Sequence, residues 1–252
     1  MKLRPTIAIL ALVLTSFTFS GCMEIFFDVV QHHDGTYSLR QSVAFAPSFF
    51  DMMAAFSKMG KDSNATITRE SIVDSMRREI ASKRDSVMQV NPVNGQAGIT
   101  ALSFYDTTVD SLVLFTVEAR VSNVDSLPSA LHLMQNENQA MQSTSAGTMP
   151  EQEDMRLTVT HAKGKVNLKF YSIAKPEDPA NDSLGIQAMM NSMGSLFQGI
   201  KMHCRVFSES LEKPKDKKIK KIAGGQERVF GFDEMTKKDT KKQSETTFVI
   251  KE

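Results

Sequence analysis

The sequence predicts an α+β domain: a mainly antiparallel sheet built from hairpins, with amphipathic helices packed on one face. Three observations carry that expectation. Two pairs of strand-like runs flank the turn signals Asp34-Gly35 and Lys163-Gly164, and such turns between alternating apolar runs mark hairpins. Two stripes recur at helical spacing, Phe49-Met52-Met53-Phe56 and Ile186-Met189-Met190-Met193-Phe197, as amphipathic helices require. The chain holds only two Cys, against sixteen Met, sixteen Phe and no Trp, so a packed core rather than a disulfide framework must supply stability.

The first residues decide where the domain works. Met1-Lys2-Leu3-Arg4-Pro5 is a basic start, Thr6 to Phe19 is apolar, and Ser20-Gly21-Cys22 follows; this is the pattern of a secretory signal over residues 1–21. An apolar run of about 14 residues falls short of the roughly 20 that span a bilayer, which disfavours an uncleaved anchor. Phe19-Ser20-Gly21-Cys22 resembles the lipobox of bacterial lipoproteins, with Phe where Leu is usual. The resemblance implies that Cys22 is lipidated and begins the mature chain. The alternative is an ordinary secreted protein in which Cys22 is an incidental thiol.

Removing 21 of the 252 residues leaves 231 and takes away Lys2 and Arg4, moving the formal charge from +1 to −1. That length suits one sizeable domain or two small ones. A near-neutral chain argues against nucleic acid as a partner, which needs a clustered basic excess.

Strands are expected at Glu24–His33 and Thr36–Phe45. A two-residue loop would set Asp28 opposite Gln41. A three-residue loop, His33-Asp34-Gly35 with Gly35 left-handed, aligns Ile25 with Val43, Phe27 with Gln41 and Val29 with Leu39. The second register buries the more coherent face and is preferred. Pro47 then opens a helix carrying the Phe49-Met52-Met53-Phe56 stripe, which either packs on the hairpin or forms a pliable wall for an apolar ligand, Met being adaptable. Gly60 ends it, and the polar connector Lys61 to Ala65 follows. A second helix runs from about Thr68 to Lys83, with Ile72, Met76 and Ile80 on one side and its charges on a solvated face. Asn91-Pro92-Val93-Asn94-Gly95 is a turn cluster.

Strands near Ile99–Tyr105 and Leu112–Val121 come next, the latter central because Leu112 and Leu114 add apolar weight to its second face. Asp125 or Ser126 caps a short helix with Pro128 in its first turn and Leu127, Leu131 and Met134 inward. Residues 135–154 are polar and aperiodic, and read as an inserted mobile loop between strands of one sheet. Arg156–His161 and Lys165–Tyr171 form the second hairpin. A Met-rich helix spans about Ser183–Gln198, and Ile200–Phe207 alternates as a strand with Cys204 on its apolar face, an inert buried thiol. Residues 213–252 read as a Lys-rich tail of solvated loops, with one or two short strands at Arg228–Phe232 and Phe248–Ile250.

The catalytic inventory is thin. No nucleophile elbow, phosphate-binding loop, Cys-x-x-Cys or His-Glu-x-x-His occurs, although acid–base sites leave no local signature. His32-His33-Asp34 is the best metal candidate, but neighbouring strand residues point to opposite faces, so no metal or cofactor is expected. A Cys followed at once by a strand (Cys22-Met23-Glu24), an Asp-Gly hairpin, a Pro-initiated helix, and the later Phe104…Val113-Leu114-Phe115…Val124-Asp125-Ser126-Leu127-Pro128 segment together resemble the mycobacterial LppM-type lipoprotein domain over Cys22 to about Val206. That resemblance implies a membrane-held α+β domain, with lipid binding proposed for some members of the family, and no catalytic residues to carry over.

Two expectations of function follow. The first is a non-catalytic lipoprotein of the cell envelope, anchored through Cys22 over a domain at 22–212, whose Phe49, Met52, Met53, Phe56, Met189, Met190, Met193 and Phe197 enclose a hydrophobic or lipid-like ligand. The second is a structural or assembly lipoprotein that contacts other envelope proteins through the 135–154 insertion and the lysine loops. Met23 rather than Asp after the Cys fits sorting to an outer membrane.

Overall fold

The computed structural model describes residues 23–59, 68–90, 98–142, 154–173, 199–231, 234 and 245–251. The expected signal with Cys22, the 61–65 connector, the 91–95 turn cluster and the helix expected at 183–198 lie outside the described residues.

Strands β1 (Met23–Gln31) and β2 (Tyr37–Phe45) pair antiparallel in the three-residue-loop register, with Ile25 opposite Val43, Phe27 opposite Gln41 and Val29 opposite Leu39. Gly35 sits at φ +79°, where the absence of Cβ removes the steric cost. Asp34 fixes the turn by accepting from the Thr36 N–H at 3.0 Å and the Thr36 hydroxyl at 2.6 Å, an Asx turn.

Helix α1 (Pro47–Met59) leaves directly from β2, and α2 (Arg69–Val90) returns beside it. Thr68 and Ser71 exchange cap bonds, the Ser71 N–H donating to Thr68 Oγ1 at 3.2 Å. The helix runs seven residues past the expected end at Lys83, because nothing before Pro92 breaks it. β3 (Ile99–Val109) and β4 (Leu112–Val121) form a hairpin, β3 extending four residues beyond Tyr105.

The cap of the next helix is corrected. Asn123, not Asp125 or Ser126, accepts the Ser126 N–H at 3.1 Å and opens a 3-10 turn, Val124–Ser126, that continues into α3 (Leu127–Gln142). The first eight residues of the expected 135–154 loop, 135–142, are therefore helix. Their Gln, Glu, Ala and Met residues are good helix formers, and Gln135 Nε2 donates to the Met155 carbonyl at 2.6 Å.

Strands β5 (Asp154–His161), β6 (Lys165–Ile173), β7 (Lys201–Phe207), β8 (Lys220–Ile222), β9 (Gly225–Gly231) and β10 (Glu245–Lys251) complete the chain. They assemble into a seven-stranded sheet, β3-β4-β2-β1-β7-β9-β8, and a three-stranded one, β10-β6-β5. The pairings are antiparallel except β1 with β7. Two expectations fail here. The strands flanking the insertion do not share a sheet, since both edges of β4 are taken by β2 and β3 and none is left for β5. Residues 213–252 are also more than a tail: the strands expected at Arg228–Phe232 and Phe248–Ile250 are present and longer, as β9 and β10. Strand β9 joins the unexpected β8 at one edge of the large sheet, while β10 forms one edge of the small one.

The main core lies between one face of the large sheet (Phe27, Leu39, Ala119), helix α3 (Leu131) and the small sheet (Phe170, Phe248). A second cluster, Phe45, Phe50 and Val73, fills the end of the same face under α1 and α2.

Candidate functional site

The second cluster adjoins the place where the chain emerges from Cys22. Met23 is the first residue of β1; it pairs with Phe45, which pairs with Val113. Pro47 turns the chain into α1 immediately after this row, so the first turn of the helix must close over it. Rings meet there at centroid distances of 4.7 Å (Phe45–Phe49), 5.5 Å (Phe49–Phe50) and 5.9 Å (Phe45–Phe115), within the range of favourable aromatic pairs.

The expected ligand wall is placed only in part. Phe49 and Met52 are half-buried, whereas Met53 is 43% exposed. The side chain of Phe56, and Met189, Met190, Met193 and Phe197 entirely, lie outside the described residues. The buried stripe of α1 is Phe50 (1% exposed) and Ala54 (9%), not one that includes Met53. The rotation has a physical reason: the Phe50 ring fills the gap between Phe45 and Val73, and a small residue one turn on lets α2 approach. Arg69 holds that approach by donating to both carboxylate oxygens of Asp51, at 2.9 and 2.5 Å, and this hydrogen bonding lowers the Asp51 pKa. The adjacent pairs Phe49-Phe50 and Met52-Met53 fit two stripes equally, and the small Ala54 was the signal that separates them. Chemically, Phe49, Met52 and Met53 offer apolar contact at the surface of α1.

The opposite face of the large sheet carries a polar lattice that sequence reasoning missed. Arg205 donates to both oxygens of Asp28 at 2.7 and 2.6 Å and lies 4.4 Å over the Phe26 ring, which stacks on His203 at 4.5 Å. His203 Nδ1 is 2.9 Å from Glu227 and its Nε2 is 3.6 Å from Glu24. Tyr105 donates to Glu118 at 2.9 Å, and Arg40 is 3.0 Å from the same carboxylate. Burial and the Glu118 carboxylate push the Tyr105 pKa up to about 12, so it stays a donor. Burial pushes Glu118 up, but hydrogen bonds from Arg40, Ser38 and Tyr105 outweigh it and leave the pKa below the ordinary range. These pairs match charge with charge across neighbouring strands, and the lattice serves sheet register.

His32 Nε2 lies 2.8 Å from Ser38 Oγ, while His33 is at the surface, 4.0 Å from Glu209. Among the described residues no group of three or more His, Cys, Asp or Glu is placed to hold a metal ion. Cys204 is fully buried, and burial raises its thiol pKa.

No family model and no curated protein matches the chain. Among solved structures, the chain is similar to the folded domain of the Mycobacterium tuberculosis LppM protein, determined by NMR, at TM-score 0.38 and 11% identity over 92% of this chain and 91% of that one. A likeness of that degree is distant resemblance of shape and carries no functional argument. No helix among the described residues is long and apolar enough to cross a membrane.

Proposed function

We propose that the chain is a non-catalytic lipoprotein of the bacterial cell envelope, attached through Cys22 and holding a hydrophobic, lipid-like ligand against the Phe49, Met52 and Met53 side of α1. The observation that carries the reading is positional. Met23, directly after the lipobox-like Cys22, pairs with Phe45 in the aromatic cluster beneath α1, so an anchor at Cys22 sets this apolar surface beside acyl chains. Two chains, at about 0.8 kcal/mol per buried CH₂, give lasting attachment. The absence of Asp after Cys22 supports the outer membrane as the address.

Metabolic labelling with a fatty acid tests the anchor: wild type incorporates label and Cys22→Ser does not. Native mass spectrometry of the chain from Met23, made in a bacterial host, tests the ligand: an added mass released as lipid, and lost in a folded Met53→Asp variant, is the expected result. Label retained by Cys22→Ser rules out the anchor. Equal lipid occupancy in Met53→Asp rules out this wall.

A further inference from the structure

A groove of about 350 Å³ opens between strand β10 and the segment that follows β7, lined among others by Asn167, Glu212, Lys215, Gln226, Thr246 and Thr247. It exists because a strand begins beside β10 and then leaves. The Glu212 N–H donates to the Val249 carbonyl at 2.8 Å and the Lys251 N–H to the Ser210 carbonyl at 3.0 Å, around an antiparallel bridge of Leu211 to Ile250. Pro214, two residues on, has no N–H to continue the ladder, and the chain peels away. Alternation along β10 then directs the main-chain N–H and C=O of Thr247 outward, in line with those of Val249 and Lys251, and among the described residues nothing takes them.

The groove also holds an unspent side chain. Thr246 is 3% exposed, and its hydroxyl has no hydrogen-bond partner, a costly state for a buried polar group. Charge separates the possible occupants. Glu212 is matched by Lys165 at 2.7 Å and Glu245 by Lys169 at 2.6 Å, while Asp216 accepts the Lys218 N–H at 2.8 Å. Lys213 and Lys215 are exposed lining residues that form no ion pair among the described residues.

We propose that this groove is a peptide-binding slot: it takes a short, extended, acidic segment of another protein, which adds to the free edge of β10 where residues 210–212 leave off. Main-chain bonds to Thr247 supply affinity, as in other strand additions. A peptide side chain opposite Thr246 points inward and accepts its hydroxyl proton, and carboxylates on the segment face Lys213 and Lys215. The slot is independent of the lipid reading, since it shares no residue with α1 or Cys22.

The test is fluorescence anisotropy of the full-length protein in detergent with fluorescein-labelled Val-Asp-Ser-Asp-Val-amide, whose central Ser lies on the face opposite the two Asp, and with the Lys-for-Asp peptide as control. Wild type binds the acidic peptide and not the basic one. Thr246→Val weakens binding about tenfold, the loss of one good hydrogen bond. Thr247→Pro, which removes an outward N–H on an edge strand, abolishes it. Lys213→Glu with Lys215→Glu, both exposed and harmless to folding, reverses the peptide preference. Peptide binding also slows hydrogen exchange at the Thr247 amide. Absence of binding at millimolar peptide, or equal affinity in the Lys double variant, overturns the proposal.

Discussion

Rotation of α1 about its axis separates the sequence stripe from the buried one, and two truncations read it directly. Phe50 is 1% exposed and sits between Phe45, at a ring distance of 5.9 Å, and Val73. Phe50→Ala removes about 2–3 kcal/mol of transfer free energy, and the cavity left under a helix pinned by Arg69 and Asp51 brings the loss to about 3–5 kcal/mol. Met53, 43% exposed, loses far less: Met53→Ala should cost under about 1 kcal/mol. Urea unfolding of the chain from Met23 is the assay. With a slope of about 1–3 kcal/mol per molar, Phe50→Ala moves the midpoint down by at least about 1 M, and Met53→Ala by a few tenths of that. A Met53→Ala loss equal to that of Phe50→Ala would refute the rotation, and with it the claim that Met53 is free to touch a ligand.

Cys204 should resist alkylation in the folded protein, being fully buried with a raised pKa; its reaction should need opening of the fold and reach the unfolding rate only where alkylation outpaces reclosing, and labelling within seconds of mixing contradicts the placement. Gly35→Ala should cost about 1–2 kcal/mol from left-handed strain, with no clash, since nothing lies within 4 Å of the added Cβ; Gly35→Asn should recover much of it in thermal melts. Glu118 has a folded pKa below its ordinary 4.5. Its contribution is therefore present above about pH 4.5 and lost as pH falls through the folded value, so Glu118→Gln should flatten the fall in urea midpoint below that pH. An unchanged pH profile would show that Arg40 and Tyr105 do not favour the charged form.

The sequence made the hairpin register legible because pairing is set by matching faces. Ile25, Phe27 and Val29 find an inward partner set in only one of the two loop lengths, and the Asp34-Gly35 turn agrees with it. Strand β7 was legible for the same reason, its Met202, Cys204 and Val206 alternating with polar residues. Legibility failed where periodicity is not the deciding force. Residues 135–142 have no apolar stripe, yet they extend a helix already nucleated, at the small cost of propagation. The Lys-rich segment showed β9 and β10 only as short strands and hid β8, because Gln226, Arg228 and Thr246 occupy buried positions that composition assigns to solvent. Arg228 is admitted by its bond from Nη2 to Glu234 at 2.8 Å and by the Phe230 ring 4.3 Å below its guanidinium. The polar lattice required the parallel β1–β7 pairing, which sets Asp28 beside Arg205 and joins residues too far apart in the chain for local spacing to relate. The same distance in sequence concealed the groove.

The apolar cluster and Gln226, one wall of the groove, lie toward opposite ends of the large sheet. Met23 opens β1 at the end that carries Phe45 and α1, while Val29 lies beside Val206, and Val206 beside Gln226 of the groove. Six residues of strand at about 3.3 Å each separate the two rows by about 20 Å. A domain tethered at Met23 would hold its apolar surface against the bilayer and lift the Gln226 wall of the groove clear of the headgroups, beyond the roughly 10 Å over which an anionic surface attracts lysines at 0.1 M salt. At that height Lys213 and Lys215 would act on molecules in solution, which would favour an acidic protein segment over lipid as their partner. Lipid at one end and polypeptide at the other would then be complementary, because a tether would raise the local concentration of the slot for anything else held in the same membrane.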